Sequence, residues 1–139
     1  MRVLSNSLGE TKIVAERFSK SLKRPSLVGL VGDLGAGKTV FAKGIVSGLG
    51  GNSEEVSSPT FALLNVYEIG GGRVCHFDLY RLKDENELLF VGLYDMLEDP
   101  RAIVVIEWID KFKNLRSQAD YIVSISHISE GSRGIEIIP

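Results

Sequence analysis

A glycine-rich segment holds the first residues of this chain whose types and spacing could do chemistry. Residues 32–39 read GDLGAGKT and match the pattern G-x-x-x-x-G-K-[ST] in full. Small residues let backbone N–H groups surround phosphate oxygens, and a helix that begins near Lys38 directs its positive end at the same anion. Lys38 can reach the β- and γ-phosphates of a nucleotide, and the Thr39 hydroxyl can bind Mg²⁺. The segment therefore predicts a nucleotide-phosphate site of the P-loop type.

Two carboxylates are candidates for the acidic group with which a P-loop protein holds its metal ion. Asp78 lies in residues 73–80, whose alternation indicates a strand. Glu107 directly follows the apolar run 102–106, at the position where open α/β sheets bind their ligands. The competing interpretations are a surface acid paired with Arg81 for Asp78 and a strand-end cap for Glu107. The residue pattern leaves both alternatives open.

Four further side chains accompany these motifs. We expect His76 to be a structural hydrogen-bonding group and Cys75 to be small core filling. Trp108 could be a core residue, a base-stacking surface or a partner contact, and the pattern does not rank these three. Thr60 follows Ser-Ser-Pro after the second predicted helix. It either senses a γ-phosphate within a mobile switch segment or is a strand-start hydroxyl.

Apolar periodicity predicts the elements that would position these residues. Helices are predicted over residues 7–22, which open with a capping box, 38–49, and 84–97, with Gly92 a weak point. Strands are predicted over residues 27–31, 59–67, 73–80, 102–106, 121–128 and 134–138. Glycines at 70–72 and 131 indicate hairpins, so some strands are antiparallel. The predicted fold is α/β, a P-loop NTPase-like three-layer fold with a mixed central sheet.

Length and composition limit the class of protein. A chain of 139 residues is the common size of one domain, so residues 1–139 are predicted to form a single P-loop nucleotide-binding domain. A formal net charge of −2 argues against a general nucleic-acid coat protein. The single cysteine excludes an intrachain disulfide. No apolar run approaches the roughly 20 residues of a membrane span, and no secretory signal is visible, so we expect a cytoplasmic protein.

Four motifs in this order resemble the TsaE (YjeE) family, the P-loop ATPase subunit of bacterial tRNA threonylcarbamoyladenosine biosynthesis. They are GDLGAGKT at 32–39, SPTF at 58–61, HFDLYR at 76–81 and EW at 107–108. The first motif is common to many P-loop proteins, whereas HFDLYR at this distance, followed by EW, is far more selective. The resemblance extends from about Ser7 to the final predicted hairpin.

The resemblance implies a function and a set of site residues. ATP and Mg²⁺ would be the cofactors, and the TsaD and TsaB subunits would be the partners of a slow, partner-governed ATPase switch. Lys38, Asp78, Glu107 and Thr60 would act in catalysis. The metal ligands would be Thr39, Asp78 and Glu107. Nucleotide-binding residues would be Thr11, Asp33, Leu34, Gly35, Ala36, Gly37, Lys38, Thr39, Val40 and Arg133, with Thr11 and Arg133 near the adenine.

Two other functions compete with an ATPase switch. A small-molecule kinase needs an acceptor pocket and usually a closing lid, and neither is visible in the sequence. A GTP-dependent switch is disfavoured because the chain has no Asn-Lys-x-Asp pattern for guanine. Direct contact with tRNA would need a basic surface, for which Lys111, Lys113, Arg116 and Arg133 are candidates. A solvated charged face is the favoured interpretation of those residues, and tRNA is expected to be reached through the complex.

Overall fold

The computed structural model describes residues 1–33, 35–59 and 63–139. Leu34, predicted to bind nucleotide, and Thr60, predicted to act in catalysis, lie outside these described residues. Within them, the longest helix has 12 residues, and none is both long and apolar enough to cross a membrane.

Seven strands form one sheet. They are Arg2–Ser5 (β1), Ser26–Val31 (β2), Leu64–Ile69 (β3), Gly72–Asp78 (β4), Ala102–Glu107 (β5), Tyr121–Ser129 (β6) and Ser132–Ile138 (β7). Their order is β1-β7-β6-β2-β5-β4-β3. The neighbours of β2 and the pair β4–β5 are parallel, whereas β1–β7, β6–β7 and β3–β4 are antiparallel. The predicted mixed sheet and both predicted hairpins are therefore confirmed.

Two longer helices and three short ones accompany the sheet. They are Leu8–Ser19 (α1), Lys38–Gly48 (α2), Glu87–Phe90 (α3), Leu93–Leu97 (α4) and Lys113–Arg116 (α5). The side chain of Ser7 caps α1 by accepting a hydrogen bond from the Glu10 backbone N–H, as the capping box predicts. The helix predicted over 84–97 is instead divided into α3 and α4. Gly92, at φ 73°, adopts a left-handed conformation that interrupts the helical hydrogen bonding.

The sheet separates two apolar cores, and this makes three layers. One core lies between the sheet and α1 with α2, and includes Phe18, Phe41, Ile45, Val74 and Val105. The other core lies under α3, α4 and α5, and includes Cys75, Phe77, Ile106, Leu93 and Leu115. Alternate residues of β4 and β5 thus enter opposite cores. His76, Asp78 and Glu107 share the parity of Val74 and Val105, which directs them to the face covered by α1 and α2.

β1 is the strand of the sheet that the apolar pattern did not predict. Arg2–Ser5 lies at the sheet edge and pairs with β7, with Val3 opposite Ile135. Only Ser5 of its four residues is buried. A short edge strand of this composition has no run of buried apolar residues that periodicity could detect, so its pairing depends on the partner strand.

Candidate functional site

The glycine-rich loop lies between β2 and α2, at the carboxyl end of a central parallel strand. β2 ends at Val31 and α2 begins at Lys38. Leu30 of β2 pairs with Glu107 of β5, and Glu107 pairs with Asp78 of β4. Because these three strands are parallel, their carboxyl ends meet at one edge of the sheet. The topology thus brings the loop and both candidate carboxylates together.

A cavity of about 320 Å³ occupies this edge. Five of its lining residues come from the loop and the first turn of α2: Gly35, Gly37, Lys38, Thr39 and Val40. The others come from separate parts of the chain: Leu8, Ser58, Asp78, Glu107, Trp108 and Arg133. The first backbone N–H groups of a helix have no partner within that helix. The start of α2 therefore offers donors and the positive end of a helix dipole to this cavity.

The loop glycines are required by backbone conformation and by a close neighbour. Gly35 has φ 77° and Gly37 has φ 111°, in the region that L-residues with a side chain rarely adopt. A Cβ at Gly35 would meet no atom within 4 Å, so conformation alone favours glycine there. A Cβ at Gly37 would also lie 3.2 Å from Nε of Arg133. A side chain at either position would strain the loop backbone, and at Gly37 it would also crowd Arg133.

Lys38 is buried in the loop that precedes it. Its ammonium donates to the carbonyl oxygens of Gly32, at 2.5 Å, and Asp33, at 2.9 Å. The same nitrogen lies 4.4 Å from the ring centroid of Trp108. Burial lowers the pKa of the Lys38 ammonium, and the carboxylates of Glu107 and Asp78 oppose that change.

Asp78 and Glu107 are both buried carboxylates, each 3% exposed. The interpretation of Asp78 as a surface acid is therefore wrong. Asp78 Oδ1 accepts a hydrogen bond from the Tyr80 backbone N–H at 2.8 Å, which fixes the carboxylate at the end of β4. Glu107 Oε2 lies 2.6 Å from Nε2 of the buried His76. This contact confirms His76 as a structural hydrogen-bonding group.

Trp108 lines the cavity beside the carboxylates, in a left-handed backbone conformation with φ 65°. Its backbone N–H donates to the Leu30 carbonyl at 3.2 Å, and its ring lies 5.0 Å from that of Tyr80. The turn lets the chain reverse at the end of β5 while the indole contacts the Lys38 ammonium. Of the three interpretations of Trp108, a purely buried core residue is excluded, since the ring is partly exposed at a cavity.

The remaining residues predicted to bind nucleotide differ in whether they line the cavity. Arg133 lines the cavity and donates from Nε to the Ala36 carbonyl at 2.8 Å. Asp33 is exposed and does not line the cavity. Ala36 is buried behind the loop. Val40 lines the cavity from the first turn of α2.

Thr11 is not brought to the cavity wall. It is fully buried, and its hydroxyl shares a hydrogen bond of 2.7 Å with the Ser5 hydroxyl and donates to the Ser7 carbonyl at 3.2 Å. Leu8, three residues earlier, lines the cavity from the start of α1. The sequence pattern gave no role to Leu8, and it placed Ser58 only within the SPTF motif of the predicted switch segment. Leu8 could have been found only through the β1–β7 pairing, which carries the start of α1 beside Arg133.

The donor chemistry of these residues fits a magnesium-nucleotide group. Mg²⁺ prefers oxygen ligands and is usually held by one or two carboxylates together with phosphates and water. Thr39, Asp78 and Glu107 supply a hydroxyl and two carboxylates to the same cavity. The loop amides and the Lys38 ammonium are the donors that phosphate oxygens require. Across the described ranges, no cluster of three or more His, Cys, Asp or Glu could hold a metal ion.

Comparison with known proteins finds one consistent family. The family described as threonylcarbamoyl adenosine biosynthesis protein TsaE matches residues 5–135. A tRNA threonylcarbamoyladenosine biosynthesis protein TsaE from Haemophilus influenzae is 42% identical over 81% of this chain and 69% of its own length. Proteins of the same name from Aquifex aeolicus and Treponema pallidum are 35% and 34% identical, over 97% and 99% of this chain and 93% and 99% of their own lengths.

A solved structure agrees with the sequence relatives. The crystal structure of Bacillus subtilis YdiB aligns with a TM-score of 0.73 and 25% identity, over 97% of this chain and 82% of that one. This likeness supports the predicted P-loop NTPase-like fold, which the mixed sheet and the position of the loop already indicate. On the match along residues 5–135 and the identity to curated relatives, the chain belongs to the TsaE family.

Proposed function

We propose that this chain is the ATP-binding, slowly ATP-hydrolysing subunit of the cytoplasmic machinery that makes threonylcarbamoyladenosine in tRNA. It acts as a nucleotide switch on its partner subunits, TsaD and TsaB, and residues 1–139 form a single nucleotide-binding domain. One observation carries the proposal: Lys38, Thr39, Asp78 and Glu107, from three separate elements, line the same cavity at the start of α2. The names of the relatives support the role in tRNA modification.

The loop and Lys38 bind the phosphates of ATP. Residues 33–40 supply backbone N–H groups, and the Lys38 ammonium exchanges the carbonyls of Gly32 and Asp33 for β- and γ-phosphate oxygens. The exchange is favourable because a charged donor gains an anionic acceptor in a partly dry cavity. Arg133 belongs to the adenine side of the site and is held against the loop through the Ala36 carbonyl. Thr11 contributes to that side only indirectly, through its buried hydrogen bonds with Ser5 and Ser7.

Thr39, Asp78 and Glu107 would hold Mg²⁺, which would supply positive charge to neutralise the transferred phosphoryl group. Glu107 and Asp78 also orient the attacking water. The water oxygen bonds to the γ-phosphorus, and the bond from that phosphorus to the β–γ bridging oxygen breaks. ADP leaves with the electron pair of that bond, and the two protons of the water end on the inorganic phosphate and in solvent. Thr60 lies in the segment that responds to the γ-phosphate.

A partner completes the site and sets its rate. Among the residues that the structure describes, the cationic side chains that line the cavity are Lys38 and Arg133, and the Nε of Arg133 already donates to the Ala36 carbonyl. P-loop enzymes often receive the cation that stabilises the transition state from another protein, and this cation can raise turnover by about 10³–10⁵-fold. The lone chain should therefore hydrolyse ATP slowly, and hydrolysis resets the partner complex.

The test compares ATP turnover by the lone chain with turnover after addition of purified TsaD and TsaB. We expect slow Mg²⁺-dependent hydrolysis alone, acceleration by the partners, and tighter binding of ATP than of GTP. The Lys38→Met variant is the matched loss-of-site control. Fast hydrolysis by the lone protein would contradict the partner-governed switch. Tighter binding of GTP would contradict the ATP assignment, and a phosphorylated small-molecule product would indicate a kinase instead.

A further inference from the structure

We propose that His76 is a positioning residue for Glu107: it holds one carboxylate oxygen, so that the other is presented to the metal and the attacking water. This inference rests on the ATPase function proposed above, and it deepens the account of the same site. It concerns a residue that does not line the cavity and is not itself one of the predicted metal ligands, and that the motif alone would class as structural.

The contact is short and fully enclosed. His76 Nε2 lies 2.6 Å from Glu107 Oε2, and the two side chains are 0% and 4% exposed. The strand register explains the approach. Asp78 lies directly opposite Glu107, and His76 lies one pleat earlier on the same face, opposite Val105. The Glu107 side chain therefore leans back along the sheet toward the imidazole, while its residue still lines the cavity.

The hydrogen-bonding chemistry assigns a direction to this contact. An ionised carboxylate only accepts hydrogen bonds, so His76 must donate from Nε2. Among the described residues, the other ring nitrogen, Nδ1, has no hydrogen-bond partner. His76 is thus a single-purpose donor aimed at Glu107.

A fixed donor limits how Glu107 can move. The glutamate side chain has three rotatable bonds, and a hydrogen bond from a buried ring holds its end in one arrangement. With Oε2 engaged, Oε1 is the oxygen available to Mg²⁺ or water. Hydrogen-bonding partners of ligating carboxylates orient the ligand, and their loss typically costs about 10–100-fold in metal affinity or activity.

Two substitutions distinguish the loss of the hydrogen bond to Glu107 from the loss of side-chain volume at position 76. His76→Leu replaces the imidazole with an apolar side chain of similar size and so removes the hydrogen-bond donor. His76→Gln places an amide N–H at about the reach of Nε2 and restores donation. The same imidazole-to-Leu change at the exposed His127 is the matched control. We expect His76→Leu to lower kcat for ATP by about 10–100-fold with little change in KM, and His76→Gln to recover most of the loss.

A binding measurement provides a readout besides activity. Mn²⁺ is titrated into each variant with ADP present, and the bound ion is followed by its electron paramagnetic resonance signal. We expect weaker Mn²⁺ binding in His76→Leu, near-normal binding in His76→Gln, and normal binding in His127→Leu. Urea unfolding of each variant establishes the folded fraction, to which turnover and binding are normalised.

The outcomes are decisive in both directions. If His76 acts through Glu107, His76→Leu should cost nothing further in a Glu107→Gln background. Wild-type kcat and Mn²⁺ affinity in His76→Leu would overturn the inference while leaving the ATPase function standing. Equal losses in the Leu and Gln variants would assign His76 to packing and also overturn it. A wild-type chain that binds nucleotide with no hydrolysis, alone or with partners, would refute the proposed ATPase and this inference with it.

Discussion

Asp78 and Glu107 are register partners at the carboxyl ends of the adjacent parallel strands β4 and β5, and both are buried. Like charges directly opposite one another on a sheet are unfavourable unless a cation is shared between them. The Lys38 ammonium is near enough for both carboxylates to oppose the effect of burial on its pKa. Such an arrangement costs stability, and sites that bind cations commonly carry that cost.

Neutralising either carboxylate should cost turnover while leaving the fold intact. Asp78→Asn and Glu107→Gln keep the side-chain shape and remove one of two adjacent negative charges. We expect ATP turnover to fall by about 10²-fold or more, and the free energy of unfolding to stay the same or rise. Turnover with partners present and urea unfolding provide the two measurements. Asp95→Asn, at an exposed position on α4, is the control, and wild-type hydrolysis by either site variant would refute that residue's assignment.

Removing the Lys38 charge should weaken binding of the nucleotide phosphates. Hydrogen bonds to charged groups contribute about 1.5–3 kcal/mol, so Lys38→Met should bind Mg-ATP about 10-fold less tightly or worse. In Thr39→Ala, added Mg²⁺ should no longer increase the affinity for the nucleotide. The affinity of this variant for ADP without metal should equal that of the wild type. Titration with and without Mg²⁺ distinguishes the two effects. Lys43→Met, on the same helix, should match the wild type; an equal loss there would point to net charge instead of the site.

The thiol of Cys75 provides a pH test of its assignment to the core. Burial raises the pKa of the Cys75 thiol from 9.0 to about 11. The folded chain therefore holds the thiol proton more tightly than the unfolded chain does. This contribution to stability is complete below pH 9.0 and is lost as the pH rises through about 11.

We therefore expect the unfolding free energy of the wild type to fall relative to Cys75→Ala as the pH rises through that window. The loss should be at most about 3 kcal/mol. Denaturant unfolding of both proteins at several pH values across this range measures the difference between their free energies of unfolding. The other titrating groups are common to both proteins, so their contributions cancel in this difference. Parallel pH profiles for the two proteins would show that the thiol titrates alike in the folded and unfolded chains.

Lys111 should stabilise the turn that follows β4. Its ammonium donates to the carbonyls of Leu79, Tyr80 and Leu82, at 3.3, 2.6 and 2.6 Å. Lys111→Met should lower the free energy of unfolding by about 1–3 kcal/mol, because these carbonyls lose a charged donor. Lys113→Met, at an exposed position two residues later, should have no measurable effect in the same urea titration. Equal stability of the two variants would contradict a role for this contact.

The Lys111 contacts also bear on the basic surface considered for tRNA. Two of its four candidate cations, Lys111 and Arg133, donate to backbone carbonyls of this chain. Their positions are thus explained by contacts within this chain, without a nucleic acid.

The glycine-rich loop, its flanking strand and helix, and the capping box of α1 could be predicted from the sequence alone. Each depends on local chemistry: glycine at positive φ, a serine oxygen three residues from a free N–H, or apolar residues at a fixed period. The polar face of β4 could also be predicted from the sequence, because the alternation of side chains along a strand does not depend on which strand lies beside it. These local rules also identified Asp78 and Glu107 as candidates, although they could not choose between site and surface for either.

Only the tertiary structure decided which of those residues meet. Asp78 opposes Glu107, and His76 reaches it, because β4 and β5 pair in parallel with one particular register. The contact of Lys38 with Trp108, the burial of Thr11 away from the cavity and the approach of Arg133 to Ala36 depend in the same way on strand order. Register and strand order are set by the packing of residues far apart in the chain, and a single sequence carries no local signal of that packing.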